Sequence, residues 1–342
     1  MEFNIIFYVI IYRGIDCENN TFFLKILQYF DHKVNRSINI LMINFFTKKK
    51  IQLSSPNILL TNCCNAKCSY CFARDEMDED AVKEMEIDDF VKVVKMLKKH
   101  KIKLLRLMGG EPTLHSQFDK VIEIGVKNFE KILIFSNGLI PVKYHGLLKQ
   151  GAEKLIFNFN LDTLEFNNNP ILKAKIVNLV KSFIGKAEIN IGFTIYSSKK
   201  NYLDILNDFS KQEIREIGIR FGYEKSVIGL KPIFVKSKYR QLGKFIVKTV
   251  RGFVEAGIKD IYVDCGMEKT MFNNKELKYF LSNVKINGWK CSGKWSGFEI
   301  ASDLSVFPCF PYYKEQRKKL SNFSNFSEIQ SVFQNKKPCY NN

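Results

Sequence analysis

From Pro56 onward, the apolar positions of the chain follow two alternating periods. Short runs rich in Ile, Leu, Val and Phe are typical of buried strands, and the Lys-rich segments between them carry apolar residues at helical spacing. Phe90, Val93 and Leu97 show this spacing behind Asp88 and Asp89, which suit the first turn of a helix. The predicted strands are 57–61, 103–108, 131–136, 154–161, 188–195 and 216–222, and the predicted helices lie near 87–100, 116–129, 142–150, 168–184 and 201–212.

This alternation predicts an α/β fold. Six successive strand–helix units require a parallel sheet with right-handed crossovers. The pattern then changes, with a helix predicted over 231–256 and a strand over 261–264. Ile300 and Val306 flank Ser302-Asp303, which suits the turn of a hairpin. We therefore predict a core over 55–230 and a small Cys-rich α+β extension over 231–342.

Residues 1–54 form an N-terminal extension of uncertain role. The apolar start, residues 1–12, is shorter than the roughly 20 residues that cross a bilayer, so no membrane span is expected. It also lacks the basic start and small-residue cleavage site of a signal peptide. A small structured extension, a partner-docking element and a start codon placed too early remain open as explanations.

Three cysteines lie in one loop just after the first predicted strand. Cys64, Cys68 and Cys71 are separated by three and two residues. Cysteine thiolates are the usual ligands of iron–sulfur clusters, and three of them on a four-iron cluster leave one iron open. Structural zinc is the alternative, but zinc requires a fourth ligand. No His is close in sequence, and Cys63 points the other way on a strand-like backbone.

A second motif, Gly109-Gly110-Glu111-Pro112-Thr113, follows the next apolar run. Glycines at a strand end allow a close backbone approach to a ligand. A carboxylate beside them can receive an ammonium group. Alone, the two glycines indicate only a tight turn, but both motifs occur in order and each at a predicted strand end.

Together these motifs resemble the radical S-adenosylmethionine (SAM) superfamily, including the aromatic Tyr70 before the last cysteine. The resemblance implies a [4Fe-4S] cluster on the three cysteines, whose open iron binds the amino and carboxylate groups of SAM. An electron from the cluster would split SAM, and the 5′-deoxyadenosyl radical would abstract a hydrogen. Gly109, Gly110 and Glu111 would hold the SAM amino group. The implied fold is a partial (β/α)6 TIM-like barrel, with its chemistry at the carboxyl ends of the strands.

Other strand ends supply further candidates for contacts with SAM. Ser136 begins a Ser-Asn-Gly turn that resembles one frequent in this family. Asn158, Asn160 and Asp162 alternate along one strand, so their side chains share a face. Asn160 stands near the position of a Ser in relatives and could bond the ribose hydroxyls or the carboxylate. A polar residue satisfied within the protein is the alternative for each.

The adenine ring of SAM has three candidate neighbours. Tyr70 is the best placed, because its ring or its backbone can meet the base. Thr194 and the Gly222–Tyr223 region stand where relatives contact adenine. Those two assignments rest on position in the sequence rather than on a motif.

The C-terminal cysteines resemble those of SPASM and Twitch extensions, whose hairpin binds an auxiliary cluster. The matching residues are Cys291, Ile300, Asp303, Val306, Pro308 and Cys309. The usual turn glycine is replaced by Leu304, which puts the turn geometry in question. We predict one auxiliary [4Fe-4S] cluster on Cys265, Cys291, Cys309 and Cys339. Structural zinc on the same thiolates and four unpaired cysteines are the alternatives.

Composition adds two points to this picture. Eight of the 9 cysteines fall into two sets, around 63–71 and 265–339, which indicates metal ligation rather than a secreted disulfide framework; Cys17 stands apart. The formal net charge of +18 is compatible with an acidic partner, but Lys is abundant throughout. Without a recognisable RNA-binding module, a nucleic-acid partner is not expected.

The predicted function is a radical SAM oxidoreductase or maturase that modifies a peptide or protein. A small-molecule or cofactor-biosynthesis substrate is the first alternative, and a non-catalytic iron–sulfur electron carrier or sensor is the second. The intact 109–111 motif argues against a mere carrier. A low-potential donor such as flavodoxin or ferredoxin is the expected partner, in the cytoplasm. The catalytic side chain is unassigned, with Cys63 and Tyr223 as conceivable hydrogen donors.

Overall fold

The computed structural model describes residues 55–68, 70, 71, 73, 83–162, 164–223, 238–263, 267–286, 298–309, 313 and 316–333. The N-terminal extension predicted over 1–54 lies outside these residues. So do four of the cysteines considered above, which are Cys17, Cys265, Cys291 and Cys339.

All the described strands belong to one sheet. Its order is β11-β10-β9-β1-β2-β3-β4-β5-β6-β7-β8, and β11 and β8 form its two ends, so the sheet is open. Strands β1 to β8 run parallel, as the strand–helix alternation predicted. The strands are β1 (Asn57–Leu59), β2 (Leu104–Met108), β3 (Lys131–Ser136), β4 (Leu155–Asn160), β5 (Glu188–Ile195), β6 (Ile217–Tyr223), β7 (Ile261–Val263), β8 (Lys285–Ile286), β9 (Glu299–Ile300), β10 (Ser305–Phe307) and β11 (Lys318–Lys319).

Helices connect these strands. The α-helices are α1 (Ile87–Lys99), α2 (Phe118–Asn128), α3 (His145–Gln150), α4 (Leu164–Asn168), α5 (Pro170–Lys181), α6 (Lys211–Ile214), α7 (Tyr239–Glu255), α8 (Asn274–Asn283) and α9 (Phe326–Phe333). Short 3₁₀ helices cover Pro112–Leu114, Val142–Tyr144, Ala152–Lys154, Tyr202–Asp208, Lys269–Met271 and Leu320–Asn322.

Two helices predicted as continuous are divided by local chemistry. Helix 168–184 was wrong at its start, because Pro170 excludes a helical conformation at Asn169 and opens a new helix instead. The Asn169 side chain caps that helix by accepting the Leu172 N–H. Helix 201–212 is a 3₁₀ segment followed by α6, which Ser210 and Glu213 begin with a capping box.

The two faces of the sheet differ in polarity. One face carries fully buried side chains such as Ile58, Leu105 and Ile132, against which the helices pack. Contact there is tight, since a Cβ on Gly125 of α2 would lie 2.9 Å from Ile132 Cδ1. The opposite face, here called the polar face, carries the register-matched residues Asn57, Arg106, Asn158, Asn160, Asn190, Arg220 and Glu299. The same face also carries buried apolar residues, among them Leu59 and Leu133, so polar and apolar side chains share it.

The C-terminal hairpin extends the same sheet. Strand β9 pairs in parallel with β1, and β10 pairs antiparallel with β9, placing Ile300 opposite Val306 as predicted. Asp303 holds the turn by accepting the Ser305 N–H at 2.8 Å and pairing with Arg317 and Lys319 at 2.8 Å each. These cations and hydrogen bonds hold the Asp303 pKa well below its usual range despite burial, which acts the other way.

Leu304 occupies the turn position where related hairpins have glycine. Its φ is +60°, in the left-handed region that favours glycine. The turn geometry is therefore retained without the glycine, at a cost of about 1 kcal/mol. Partial burial of the Leu304 side chain against the core offsets that cost.

A partly buried polar network joins the hairpin to the first two core strands. Glu299 Oε1 accepts from Asn57 Nδ2 at 3.0 Å, and Asn57 Oδ1 accepts from Arg106 Nε at 2.6 Å. The Arg106 guanidinium also lies 5.6 Å from the centre of the Phe135 ring. Burial raises the pKa of the Glu299 carboxyl to about 7, although the Asn57 amide and the Arg106 charge act to lower it.

The folded protein should therefore become less stable as Glu299 ionises. A carboxyl with a raised pKa gives full stability below its ordinary value of 4.5, and that stability is lost as the pH rises through about 7. The loss amounts to at most about 3 kcal/mol. Glu299→Gln keeps the acceptor for Asn57 and removes the titration. We expect this variant to be more stable than the wild type at pH 8, in urea unfolding followed from pH 5 to 8.

Glu153→Gln, at an exposed position, is the matched control and should leave the pH profile unchanged. Parallel pH profiles for the wild type and Glu299→Gln would show that this carboxyl does not titrate in the range.

Candidate functional site

The cysteine loop leaves β1 and lies directly against the 109–111 segment. Gly110 donates its N–H to Thr61 O at 2.8 Å, and Glu111 donates its N–H to Cys63 O at 2.8 Å. A Cβ on Gly109 would lie 2.3 Å from Thr61 O, and one on Gly110 would lie 2.3 Å from Cys63 O. Only glycine permits this approach. In the structure the two glycines thus admit the backbone of the cysteine loop itself.

Glu111 is fully buried at the end of this segment. One carboxylate oxygen, Oε1, accepts from Thr113 Oγ1 at 2.7 Å, and the other, Oε2, accepts from the Asn137 N–H at 2.8 Å. Ser136 Oγ donates to this carboxylate at 3.1 Å. Burial raises the pKa of Glu111, and these hydrogen bonds act to lower it. The carboxylate therefore fastens the end of β3 to the end of β2.

Asn137 connects the end of β3 to the cysteine loop. Its Nδ2 donates to Asn65 Oδ1 at 2.9 Å and lies 3.7 Å from Cys64 Sγ, within reach of a hydrogen bond to sulfur. Its Oδ1 accepts from the Leu139 N–H at 2.8 Å. Asn65 in turn donates to Leu139 O at 2.9 Å. The sequence analysis placed Asn137 only within a turn and missed this role.

The three thiols of the motif differ in exposure. Cys64 is exposed as a residue, and Cys68 and Cys71 are partly buried. Burial of the sulfur raises the pKa of the Cys64 thiol, and Glu111 and Cys71 act in the same direction. Hydrogen bonds from Ala66 and Asn137 act to lower it.

This donor set fits a cluster of the kind the motif implies. In the described part of the chain, no three His, Cys, Asp or Glu side chains converge as they would around a single metal ion. A four-iron cluster is larger than one ion and is held by thiolates. The loop from Cys63 to Cys71 contains neither His nor acidic residues that would compete with the thiols.

An aromatic pair stands beside the loop. The buried Tyr70 stacks on Tyr196, which follows β5, with ring centres 5.0 Å apart. Tyr70 Oη has no hydrogen-bond partner among the described residues, although Cys68 and Asn160 are its neighbours. Burial, followed by the effect of Cys68, raises the Tyr70 pKa far above its usual range. An apolar stack with one free hydroxyl suits a planar polar ligand.

A buried ion pair lies next to this stack at the end of β4. Asp162 pairs through Oδ1 with Lys200, and its Oδ2 has no partner among the described residues. The Lys200 ammonium also lies 5.5 Å from the ring centres of Tyr196 and Tyr202. Burial lowers the Lys200 pKa. The sequence analysis missed Tyr196 and Lys200, although Tyr196 directly follows a predicted strand.

The remaining predicted contacts lie at neighbouring strand ends. Asn160 Oδ1 is buried and has no partner within the described residues. Thr194 and Gly222 are register partners on β5 and β6. A Cβ on Gly222 would meet no described residue within 4 Å. Tyr70, Ser136, Asn160, Thr194 and Gly222 therefore all border the carboxyl end of the sheet.

Of the four cysteines predicted to hold the auxiliary cluster, Cys309 alone lies within the described residues. It is partly buried and follows β10 after Pro308. Cys265, Cys291 and Cys339 lie outside that part of the chain. The auxiliary site therefore stays a prediction. In the same described residues, no helix has the length and apolar character needed to cross a bilayer.

Comparison with known proteins supports the interpretation of the two motifs. The profile of the radical SAM superfamily matches residues 58–216. A GTP 3′,8-cyclase of Clostridium perfringens (strain SM101 / Type A) is 31% identical over 268 residues, 74% of this chain and 74% of that protein. A probable GTP 3′,8-cyclase of Methanococcus maripaludis (strain C6) is 32% identical over 149 residues, 42% of this chain and 48% of that protein.

A third relative is named for peptide biosynthesis. The antilisterial bacteriocin subtilosin biosynthesis protein AlbA of Bacillus subtilis is 29% identical over 106 residues, 31% of this chain and 23% of that protein. The chain thus spans about half of the Methanococcus protein and about a quarter of AlbA.

Solved structures share the fold. Streptococcus suis SuiB bound to its precursor peptide SuiA superposes with a TM-score of 0.59 at 19% identity, covering 85% of this chain and 67% of that one. SuiB bound to SAM gives a TM-score of 0.59 at 17% identity over 84% of this chain and 67% of that one. These likenesses confirm the predicted partial barrel.

The match over 268 residues, the superfamily profile and the cysteine loop held against two glycines agree with one another. The family expected from the sequence motifs is confirmed: this chain belongs to the radical SAM superfamily.

Proposed function

We propose that this radical SAM enzyme reductively cleaves SAM and uses the resulting radical to modify a peptide or protein substrate. The observation that supports SAM cleavage is the packing of the cysteine loop against Gly109 and Gly110. Asn137 links the two segments, because its N–H donates to Glu111 and its side chain donates to Asn65 in the loop. The fold shared with SuiB, which was solved with a precursor peptide, supports a peptide substrate.

The chain would position the cluster, SAM and the substrate and exclude water, while the bound cluster and SAM would supply the electron transfer and the radical chemistry. Cys64, Cys68 and Cys71 are the residues that would hold the cluster. Gly109, Gly110 and Glu111 would set the place of the SAM amino group, with Ser136 fixing the Glu111 carboxylate. Since that carboxylate is enclosed, its contribution to an ammonium is electrostatic rather than a direct contact.

Tyr70, Asn160 and Gly222 form the proposed adenosine side of the site. Asn160 Oδ1 is buried without a partner among the described residues, and such an atom is costly unless a ligand satisfies it. The Tyr70 hydroxyl lies beside the Cys68 and Asn160 side chains. The Tyr70–Tyr196 stack and the Lys200–Asp162 ion pair close one wall of the site. This wall would keep water away from the reacting atoms.

A second, auxiliary [4Fe-4S] cluster on Cys265, Cys291, Cys309 and Cys339 belongs to the same proposal. The predicted hairpin before Cys309 is present, with Ile300 opposite Val306, and Leu304 adopts a left-handed conformation in its turn. Zinc on the same thiolates is the alternative. A low-potential donor such as flavodoxin or ferredoxin would reduce the enzyme, which agrees with a cytoplasmic location.

A small-molecule substrate is the second candidate. It is favoured by the Clostridium perfringens relative, which is named a GTP 3′,8-cyclase and is matched over 74% of its length. The two candidates differ in what stimulates SAM cleavage.

The motif cysteines should be required for SAM cleavage. After anaerobic reconstitution, the Cys64→Ala, Cys68→Ala, Cys71→Ala triple variant should form no 5′-deoxyadenosine with SAM and dithionite, because no cluster remains to bind SAM. Its iron content should fall by about four per chain and leave about four on the auxiliary site. Iron, zinc and 5′-deoxyadenosine would be measured on each preparation.

The adjacent Cys63 provides the matched control. Cys63→Ala should keep full iron and full 5′-deoxyadenosine formation, since Cys63 contributes its backbone carbonyl to the site. Equal losses in Cys63→Ala and the triple variant would contradict the assignment of ligands. An iron content of about four per chain in the wild type would contradict the auxiliary cluster. Zinc bound in addition would support the zinc alternative.

Glu111→Gln should weaken both folding and SAM binding. The Gln amide would keep one oxygen acceptor and turn its NH₂ toward either Thr113 or the Asn137 N–H, leaving a buried donor unpaired. Such a change costs about 2 kcal/mol or more in unfolding free energy. Urea unfolding and equilibrium SAM binding would measure it. Glu130→Gln, which breaks only an exposed pair with Lys103, should change stability by less than about 1 kcal/mol.

The substrate class should appear as stimulation of 5′-deoxyadenosine formation. We expect stimulation by a short peptide encoded beside the gene, and none by GTP under the same conditions. GTP consumption with formation of a new nucleotide product would replace the peptide proposal by the second candidate. Product analysis by mass spectrometry distinguishes the two.

A further inference from the structure

Two asparagine side chains on the polar face of the sheet have unsatisfied amide atoms. Asn158 on β4 is 7% exposed and Asn190 on β5 is 2% exposed. The two residues are register partners on adjacent parallel strands. Asn158 Oδ1 and Asn190 Nδ2 are buried and have no hydrogen-bond partner among the described residues. One unsatisfied acceptor and one unsatisfied donor thus lie side by side.

Two glycines provide the space that these amides occupy. A Cβ on Gly218 of β6 would lie 2.1 Å from Asn190 Oδ1. A Cβ on Gly192 of β5 would lie 3.0 Å from Asn158 Nδ2. Each amide therefore lies over a glycine of the next strand. Any larger residue at Gly218 would have to displace the Asn190 amide.

Asn158 Oδ1 and Asn190 Nδ2 contribute no hydrogen bond to the described fold. Apolar side chains fill the opposite face of the same strands, where Phe157, Phe159 and Ile191 are fully buried. A buried polar atom without a partner destabilises the folded state, and an apolar residue of similar shape would avoid this. Residues that lower the stability of the folded state in this way are expected at functional sites.

The pair lies deeper than the atoms assigned to SAM. Asn160 is the β4 residue that neighbours Tyr70, beside the cysteine loop. Asn158 precedes it by two residues on the same face, which places it about 6.6 Å further from the carboxyl end of the strand. Asn190 is level with Asn158. A ligand group that reaches these amides lies below the SAM layer.

The chemistry of the pair defines what it can bind. Adjacent strands are about 4.8 Å apart, so the acceptor and the donor face one edge of a ligand. A primary carboxamide or a lactam presents an N–H and a C=O on the same edge. A trans peptide group directs them to opposite sides and can use only one of the two. Neither amide carries a charge that would favour a carboxylate.

We propose that Asn158 and Asn190 form a substrate subsite that binds a carboxamide or lactam edge. This deepens the proposed function, because the group would belong to the molecule that the enzyme modifies. In a peptide the edge would come from an Asn or Gln side chain, and in a small molecule from a cyclic amide.

The first test measures stability without any ligand. In urea unfolding of the full chain, Asn158→Leu and Asn190→Leu should each raise the midpoint, since both remove an unpaired buried amide. Asn137→Leu is the matched control and should lower the midpoint, because the Asn137 amide is bonded to Asn65 and Leu139. Midpoints lowered in all three variants would make the pair structural and overturn the proposal.

The second test measures binding directly on the reconstituted protein. Saturation-transfer NMR with acetamide should show binding that falls at least tenfold in the Asn158→Leu, Asn190→Leu double variant. Acetate and N,N-dimethylacetamide, which lack the N–H, should show little transfer. Equal transfer to acetamide from the wild type and the double variant would overturn the subsite.

Two further measurements distinguish a lactam from a side-chain carboxamide and test whether SAM itself occupies the pair. Stronger transfer to 2-pyrrolidinone than to acetamide would indicate a lactam, and the reverse a side-chain carboxamide. Displacement of acetamide by saturating SAM would assign the pair to SAM and overturn the proposal. Formation of 5′-deoxyadenosine by the wild type is assayed separately and tests the proposed function. The subsite and the proposed function can therefore fail independently.

Discussion

The approach of two backbones at the end of β2 is the constraint on which the site depends. Gly109 and Gly110 leave no room for a Cβ against Thr61 and Cys63. Because this contact is between main chains, it sets the direction in which the cysteine loop leaves β1. Asn137 then fastens the same loop to β3 through Asn65. Three strands thus determine where the thiols lie, and no bulky side chain is needed to position them.

The buried carboxylate of Glu111 lies directly beside the contact between the two glycines and the cysteine loop. A carboxylate with no access to water is tolerated because donors from Thr113, Ser136 and Asn137 surround it. The arrangement binds the ends of β2 and β3 together. Burial raises the pKa of the Cys64 thiol, and a Glu111 charge beneath the cysteine loop acts in the same direction. A bound cluster or a ligand ammonium would see the same field. One buried charge therefore serves folding and the site together.

Period and motif spacing were enough to predict the parallel sheet and the hairpin around Ser302-Asp303. Local signals explain where the predicted helices failed, since Pro170 and the Ser210 capping box were visible in the sequence. Tyr196, Lys200 and the role of Asn137 were not accessible in this way. Their positions follow from contacts between distant strand ends, and no local period encodes such contacts. The same holds for the Glu299–Asn57–Arg106 network, whose members are up to 242 residues apart.

The polar face extends this argument from the site to the whole sheet. Some polar atoms of this face are paired within the chain, and others, Glu299 Oε2 included, have no partner among the described residues. Glu299, Asn57 and Arg106 bond one another and join the C-terminal hairpin to the barrel. Asn158 and Asn190 retain unsatisfied atoms over glycines that keep the space clear. A barrel stabilised only by packing would place Leu or Val at these positions. These two asparagines lie on β4 and β5, and Tyr196 after β5 stacks on Tyr70 of the cysteine loop, so they mark where a ligand would complete the structure.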